Sequence, residues 1–326
     1  MESSNEMITK IVSKVLVHEF DAGVLATLKQ VCTANNLVGL KDASENIDDI
    51  LKSNIDLGAI FLAETYGENE SGLGLCQRIG KLRPELPIFL RREAGAQADL
   101  DPEIQSIIAG TYTLADIDSL QKLIDEFVFS MYYPAELAQG IQEISSQAFT
   151  GMMHGMNLSC DLPYLVKDQI IYGDLFSLIP LESSWCRGYM MLQAVEPMIS
   201  DAIRATNAGL DASDPSFKDT NAILNELTNM IWGGIKARYF SVKESLDEAH
   251  RTQVPIIVDH QHKFISFGST EPQLCFRYVL SDPAGSIPDI VFFQRLIFNL
   301  AWSPDKFQES NQTVEDFVES GELEFF

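Results

Sequence analysis

Glu226 and Asn229 are the residues of this chain best suited to chemistry on another molecule. They lie three residues apart in Asn225-Glu226-Leu227-Thr228-Asn229-Met230-Ile231-Trp232-Gly233-Gly234. At 100° per residue, Ile223, Leu224, Leu227, Met230, Ile231 and Ile235 share one wide apolar stripe, so the stretch reads as an amphipathic helix. Ala222, Asn225, Glu226, Asn229, Gly233 and Lys236 fall on the opposite arc. A merely solvated face is usually filled with long charged side chains. Here an acid and an amide stand among Ala and Gly, which leaves room for a partner's backbone. A carboxamide can accept a hydrogen bond through its oxygen and donate one through its NH₂, so it can position a small polar molecule. The spacing alone is common: Glu2 and Asn5 repeat it. The distinguishing feature is the context of helix, small neighbours and the Val254-Pro255-Ile256-Ile257 run that follows.

The helix at about 219–240 needs a layered α+β frame. Helices at 135–153 and 196–207, with strands at 168–180, 187–195, 254–258, 273–280 and 290–299, supply one. Upstream, KVLV (14–17), GAIFLA (58–63) and PIFL (87–90) are apolar strand-like runs. They alternate with helical patterns at 24–35, 73–82 and 118–131, with a weaker unit across 37–53. That alternation predicts a parallel sheet covered on both faces, with any site at the carboxyl ends of its strands. Pro134 marks the boundary between the two regions. The expected organisation is 1–133, 134–304 and an acidic tail from 305 to 326.

The first region resembles the receiver domain of two-component response regulators, through its KVLV start and the GLGLCQRIGKLRPELPIFL stretch. The resemblance covers roughly residues 10–130 and implies a flavodoxin-like parallel sheet. It also places Glu19 and Phe20 at the acidic pair that would hold Mg²⁺, Glu64 at the phosphoacceptor and Arg92 at the Ser/Thr position. The lysine position falls near Tyr112 or Thr113. Phenylalanine cannot ligate a hard cation. Glu is also longer than the aspartate that in-line transfer requires. The site is therefore expected to be degenerate, with Glu64 either a solvated loop acid or a standing phosphate mimic, and the module to serve docking or dimerisation.

The second region resembles the CheX branch of the CheC/CheX/FliY phosphatases, which dephosphorylate the chemotaxis regulator CheY. The resemblance spans roughly 135–300. It is carried by Asn225 to Ile231 with Gly233 and Lys236, by Val254 to Ile257, by Tyr172-Gly173-Asp174-Leu175 onward and by Arg187-Gly188-Tyr189-Met190. It implies that Glu226 pairs with the lysine of a partner's phosphorylation site and that Asn229 enters that site to orient water. Ala222, Asn225, Gly233 and Lys236 would flank the contact. Mg²⁺ would be held by the partner, with no cofactor in this chain. The motif is doubled in CheC and FliY proteins, but here the first helix carries Glu143 with Ser146 in place of the amide. One site per chain fits the CheX branch, whose members resemble dimers. The alternative function is a non-catalytic adaptor that binds a receiver without dephosphorylating it.

Composition narrows the partners. Of 326 residues, 47 are acidic and 23 basic, a net charge of −24. The deficit is shared, with 11 basic against 21 acidic residues in 1–133 and 12 against 26 beyond. Nucleic acid and anionic membranes need basic clusters, so neither is an expected partner. The opening Met-Glu-Ser-Ser-Asn-Glu has neither the basic nor the apolar region of a signal peptide. No apolar run approaches the ~18 residues of a membrane span. Five scattered cysteines are expected to be buried thiols of a cytoplasmic protein. His260-x-His262 reads as a polar turn rather than a metal site. Gly72-x-Gly74 lacks the third glycine of a phosphate loop. Trp185, Trp232 and Trp302 are expected in cores or interfaces, with contact to a docked partner as the alternative for Trp232.

Overall fold

The computed structural model describes residues 10–41, 46–66, 70–93, 100–167, 171–183, 185–206, 215–239, 256–259 and 271–306. The first region runs β1 (Val12–His18), α1 (Ala22–Ala34), β2 (Leu37–Lys41), α2 (Ile47–Ser53) and β3 (Leu57–Ala63). A short pair follows, β4 (Thr65–Tyr66) and β5 (Glu70–Ser71), then α3 (Gly72–Leu82), β6 (Ile88–Arg91), α4 (Pro102–Ile107), β7 (Gly110–Tyr112) and α5 (Ile117–Phe127). The main strands are parallel in the order β2-β1-β3-β6-β7. β3 is buried along its whole length, as expected for a strand covered on both faces. One cover is α1 with α5, packed over Val15, Val17, Phe61 and Phe89; α2 and α3 cover Leu16, Ile60, Leu62 and Leu90 on the other.

The second region runs α6 (Ala135–Met152), β8 (Asn157–Cys160), β9 (Tyr164–Val166), β10 (Leu175–Glu182), β11 (Cys186–Ala194), α7 (Glu196–Thr206) and α8 (Phe217–Tyr239). It continues with β12 (Ile256–Asp259), β13 (Gln273–Ser281), β14 (Ile290–Trp302) and a 3₁₀ turn at Pro304–Lys306. Strands β12-β10-β11-β14-β13 are antiparallel, and α6, α7 and α8 cover one face of them. The expected strand at 168–180 begins only at Leu175, while the helix expected at 118–131 ends at Phe127.

The architecture is α/β followed by α+β, yet the two parts share one sheet. Strand β9, invisible as a pattern in the sequence, pairs antiparallel with β13 and parallel with Val12 and Ser13 of β1. It lies end to end with β3 along the same edge of β1, which β3 joins from Lys14 onward. Ser13 Oγ donates to the Leu165 carbonyl at 2.9 Å, and Lys14 is ion-paired with Asp56 while its ammonium lies over the Tyr164 ring. Gly58 permits this closeness, because a Cβ there would fall 2.0 Å from Ser13 Oγ.

Candidate functional site

Helix α8 is anchored on one side and open on the other. Ile223, Leu224, Leu227, Ile231 and Ile235 are buried in the core, which fixes the rotation that the apolar stripe predicts. Thr228 bonds Ser177 of β10 and its own Leu224 carbonyl, so a polar residue on the buried side is satisfied. Asp219 in the first turn and Lys236 and Arg238 in the last suit the helix dipole. Close packing against α6 depends on glycine. A Cβ on Gly140 would meet the Tyr239 hydroxyl at 1.7 Å, and one on Gly234 would meet Ile144 at 2.5 Å. The C-terminal end is tied down by three further contacts. Arg238 donates to Glu143 at 2.7 Å, Trp185 Nε1 to the Tyr239 carbonyl at 3.3 Å, and the Tyr239 hydroxyl to the Glu136 carbonyl at 3.4 Å.

On the other side, Glu226 and Asn229 are half-buried. Neither makes a hydrogen bond or ion pair with any described residue. Burial pushes the Glu226 carboxyl above the ordinary carboxylate range. Asn229 keeps its polar atoms accessible, whereas the Oδ1 atoms of Asn221 and Asn225 are buried without a partner. The amide side chains at 221, 225 and 229 follow one another up the helix, all half-buried, and only the last keeps its oxygen accessible. Ala222 is exposed, and Asn225 and Lys236 are half-buried.

One expectation on this helix is corrected. Gly233 is buried, not on the open arc, within a run from 231 to 235 that is buried throughout; its neighbour Gly234 packs against Ile144 of α6. Trp232 is in the core at 7% exposure, the first of the places expected for it. Glu143 is held by Arg238, which draws its carboxyl below the ordinary range; the first helix thus uses its acid to brace α8.

The residues singled out in the first region converge at the carboxyl ends of β1, β3 and β6. Glu19, directly after β1, is buried: one carboxylate oxygen accepts from the Phe20 and Asp21 amides, the other from Arg91 Nε at 2.6 Å. Phe20 points outward at 71% exposure. Glu64 is not a solvated loop acid. It is half-buried and forms two contacts of 3.1 Å with Arg92. Two arginines at the end of β6 thus meet the two glutamates that follow β1 and β3. Sequence reasoning placed Arg92 but passed over Arg91, although paired cations directly after a buried strand were the available signal. Tyr112 is buried, which pushes its phenol far up.

Four cysteines are buried, but Cys160 is exposed and accepts a hydrogen bond from Gln142. Burial raises the Cys32 thiol to about 11 and that of Cys76 to about 12, so neither ionises near neutrality. Gly72 opens α3 pressed against the Ala63 carbonyl, where a Cβ would sit 1.8 Å away, so its role is a tight turn. His260, His262, Trp302's side chain and the acidic tail from 307 lie outside the described residues. No group of three potential metal ligands occurs among the described residues, and no helix there is long and apolar enough to cross a membrane.

No family model matches the sequence, and neither does any curated protein. Solved structures resemble the fold in two blocks. A CheC-like superfamily protein from Shewanella sp. PV-4 is 20% identical, covering 49% of this chain and 96% of its own, with a TM-score of 0.36. The chemotaxis protein CheX from Vibrio vulnificus is 19% identical, covering 49% and 97%, with a TM-score of 0.36. A response regulator receiver domain from Clostridium thermocellum is 14% identical, covering 35% and 93%, with a TM-score of 0.31. The structural neighbours are thus CheC- and CheX-like proteins for the C-terminal half and response-regulator receiver domains for the N-terminal part.

Proposed function

We propose that this chain hydrolyses an aspartyl phosphate on a separate receiver domain in two-component signalling. The observation that carries this reading is the Asn229 amide. It is accessible, has no partner among the described residues, and stands on a helix whose other face is fixed in the core. In the complex, its Oδ1 accepts a hydrogen bond from a water molecule and its Nδ2 donates to a phosphoryl oxygen. The water oxygen attacks phosphorus as the bond to the aspartyl oxygen breaks, giving inorganic phosphate, which carries the water's protons, and a free aspartate carboxylate. Positioning of this kind supplies much of the barrier reduction in phosphoryl transfer. A neutral amide adds no second anion beside the phosphate. Glu226, one turn away, reaches a partner lysine. The partner supplies Mg²⁺, and the degenerate receiver-like region takes no part in the chemistry.

The test is phosphate release from a panel of phosphorylated receivers of the same genome. Asn229→Ala should slow release by about a hundredfold on its substrate while the fold is kept. Equal rates for variant and wild type would end the reading. A stoichiometric complex with a phosphorylated receiver, without faster dephosphorylation, would establish the adaptor instead. The resemblance also implies paired copies, and a monomer mass in light scattering would count against that.

A further inference from the structure

At the carboxyl ends of β1 and β6, where the receiver-like region has exchanged its acidic site for arginine–glutamate pairs, the surface opens into a cleft of about 620 Å³. It is lined by Glu19, Phe20, Asp21, Val24, Arg91, Glu93 and Leu114 among others. Open parallel sheets bind their ligands at this end. Its rim carries apolar side chains: Phe20 is 71% and Leu114 is 44% exposed, facing one cleft from two different loops.

The charges of the cleft are distributed unevenly between floor and rim. Arg91, only 6% exposed, forms the floor. Its Nε donates to Glu19 and its Nη1 to Glu93 at 3.1 Å, which leaves Nη2 without a partner among the described residues. With two carboxylates already beside it, this guanidinium has no charge to offer an anion, but it retains N–H groups for a neutral acceptor such as a peptide carbonyl. Nearer the rim, Glu93 is mostly exposed and is held in place by Arg91. Asp21 is exposed too, and its carboxylate is kept ionised by the Val24 and Gly23 amides that it caps. The outer cleft therefore presents two oriented carboxylates beside two apolar side chains, on a chain of net charge −24.

We propose that this cleft is a docking site for a segment of a partner protein that carries lysine or arginine beside an apolar side chain. The apolar side chain lies between Phe20 and Leu114, the cation meets Glu93 and Asp21, and a backbone carbonyl accepts from Arg91. This site lies on the receiver-like region, and it stands whether or not α8 is catalytic. Electrostatic attraction brings such a segment in, and the apolar contacts make the cleft selective over the rest of an acidic surface.

Two synthetic peptides of equal length probe it on the full chain, one alternating lysine with leucine, the other glutamate with leucine. Their binding is followed by fluorescence anisotropy. The lysine peptide should bind and the glutamate peptide should not. The double variant Phe20→Ser/Leu114→Ser, which alters no charge and changes only exposed residues, should weaken binding at least tenfold. Glu93→Gln should weaken it severalfold, and thermal melts should show both variants folded. Unchanged binding in the double variant would mean general attraction to an acidic protein and would overturn the proposal. Failure of the lysine peptide to bind the wild type would do the same.

Discussion

At the scale of single residues, the difference between Asn225 and Asn229 is one turn of helix and a change of environment. Both are asparagines on the same side of α8, but the oxygen of the first is sealed and the second is open. Glu226 shares the half-buried ground between them, and its raised pKa makes its role measurable. A carboxyl whose pKa rises on folding favours its neutral form in the native state. Its ionisation therefore weakens the fold as pH climbs from the unfolded value towards the folded one. Glu226→Gln should accordingly melt slightly higher than wild type at neutral pH, with the gap closing in acid below the usual carboxylate range. In phosphate release, wild type should lose activity on acidification earlier than an ordinary carboxylate would dictate. The variant should show a lower rate and no such limb; an unchanged acid limb would remove Glu226 from the contact. The buried pair of Glu19 and Arg91 gives a second residue-scale expectation. Arg91→Leu leaves a carboxylate in the interior without its cation and should cost about 3 kcal/mol in urea unfolding. Glu93→Gln, at an exposed partner of the same arginine, should cost well under 1 kcal/mol.

Between elements, the decisive contact is that of α6 with α8. Two glycines, one on each helix, set the distance, and the Arg238–Glu143 pair with the Tyr239 hydroxyl locks the lower end. Gly140→Ala gains up to about 1 kcal/mol in helix propensity. Its new methyl, however, collides with the Tyr239 oxygen, and overpacking of this kind costs about 1–3 kcal/mol. The variant should melt below wild type. Its phosphate release should fall less than that of Asn229→Ala, since the amide itself is intact. A higher melting temperature would show that the helices separate without penalty.

Across the whole molecule, β9 makes one sheet of two. Because β1 carries β9 and β3 end to end on one edge, the first region cannot peel away without breaking backbone hydrogen bonds and the bond from Ser13 to Leu165. The protein should therefore melt in one cooperative calorimetric transition. Gly58→Val, which forces a side chain into the Ser13 hydroxyl, should lower that transition and divide it in two. Two separate transitions in the wild type would show that the seam carries little. On this account the receiver-like region is a fixed part of the frame around α8 rather than a tethered arm.

Much of this was legible in the amino-acid sequence because the signals are local. Apolar periodicity marked β1, β3, β6, α6 and α8 to within a few residues, since burial of one face imposes a period that the chain cannot hide. The same periodicity put Glu226 and Asn229 opposite the apolar stripe. It failed where position depends on neighbours far along the chain. Strand β9 has only three residues and no pattern; its place between β13 and β1 exists only after both are folded. Gly233 was assigned to the open arc by helical angle, but burial over 231–235 comes from tertiary packing, which no angle on α8 foresees. Glu64 looked like a loop acid until the end of β6 brought Arg92 to it across 28 positions. Sequence alone determined which faces must be buried and which side chains stand opposite them, because both follow from residue type and short-range period. Tertiary structure decided which of those residues are neutralised, sealed or left open, because charge pairing and burial are set by contacts between distant segments.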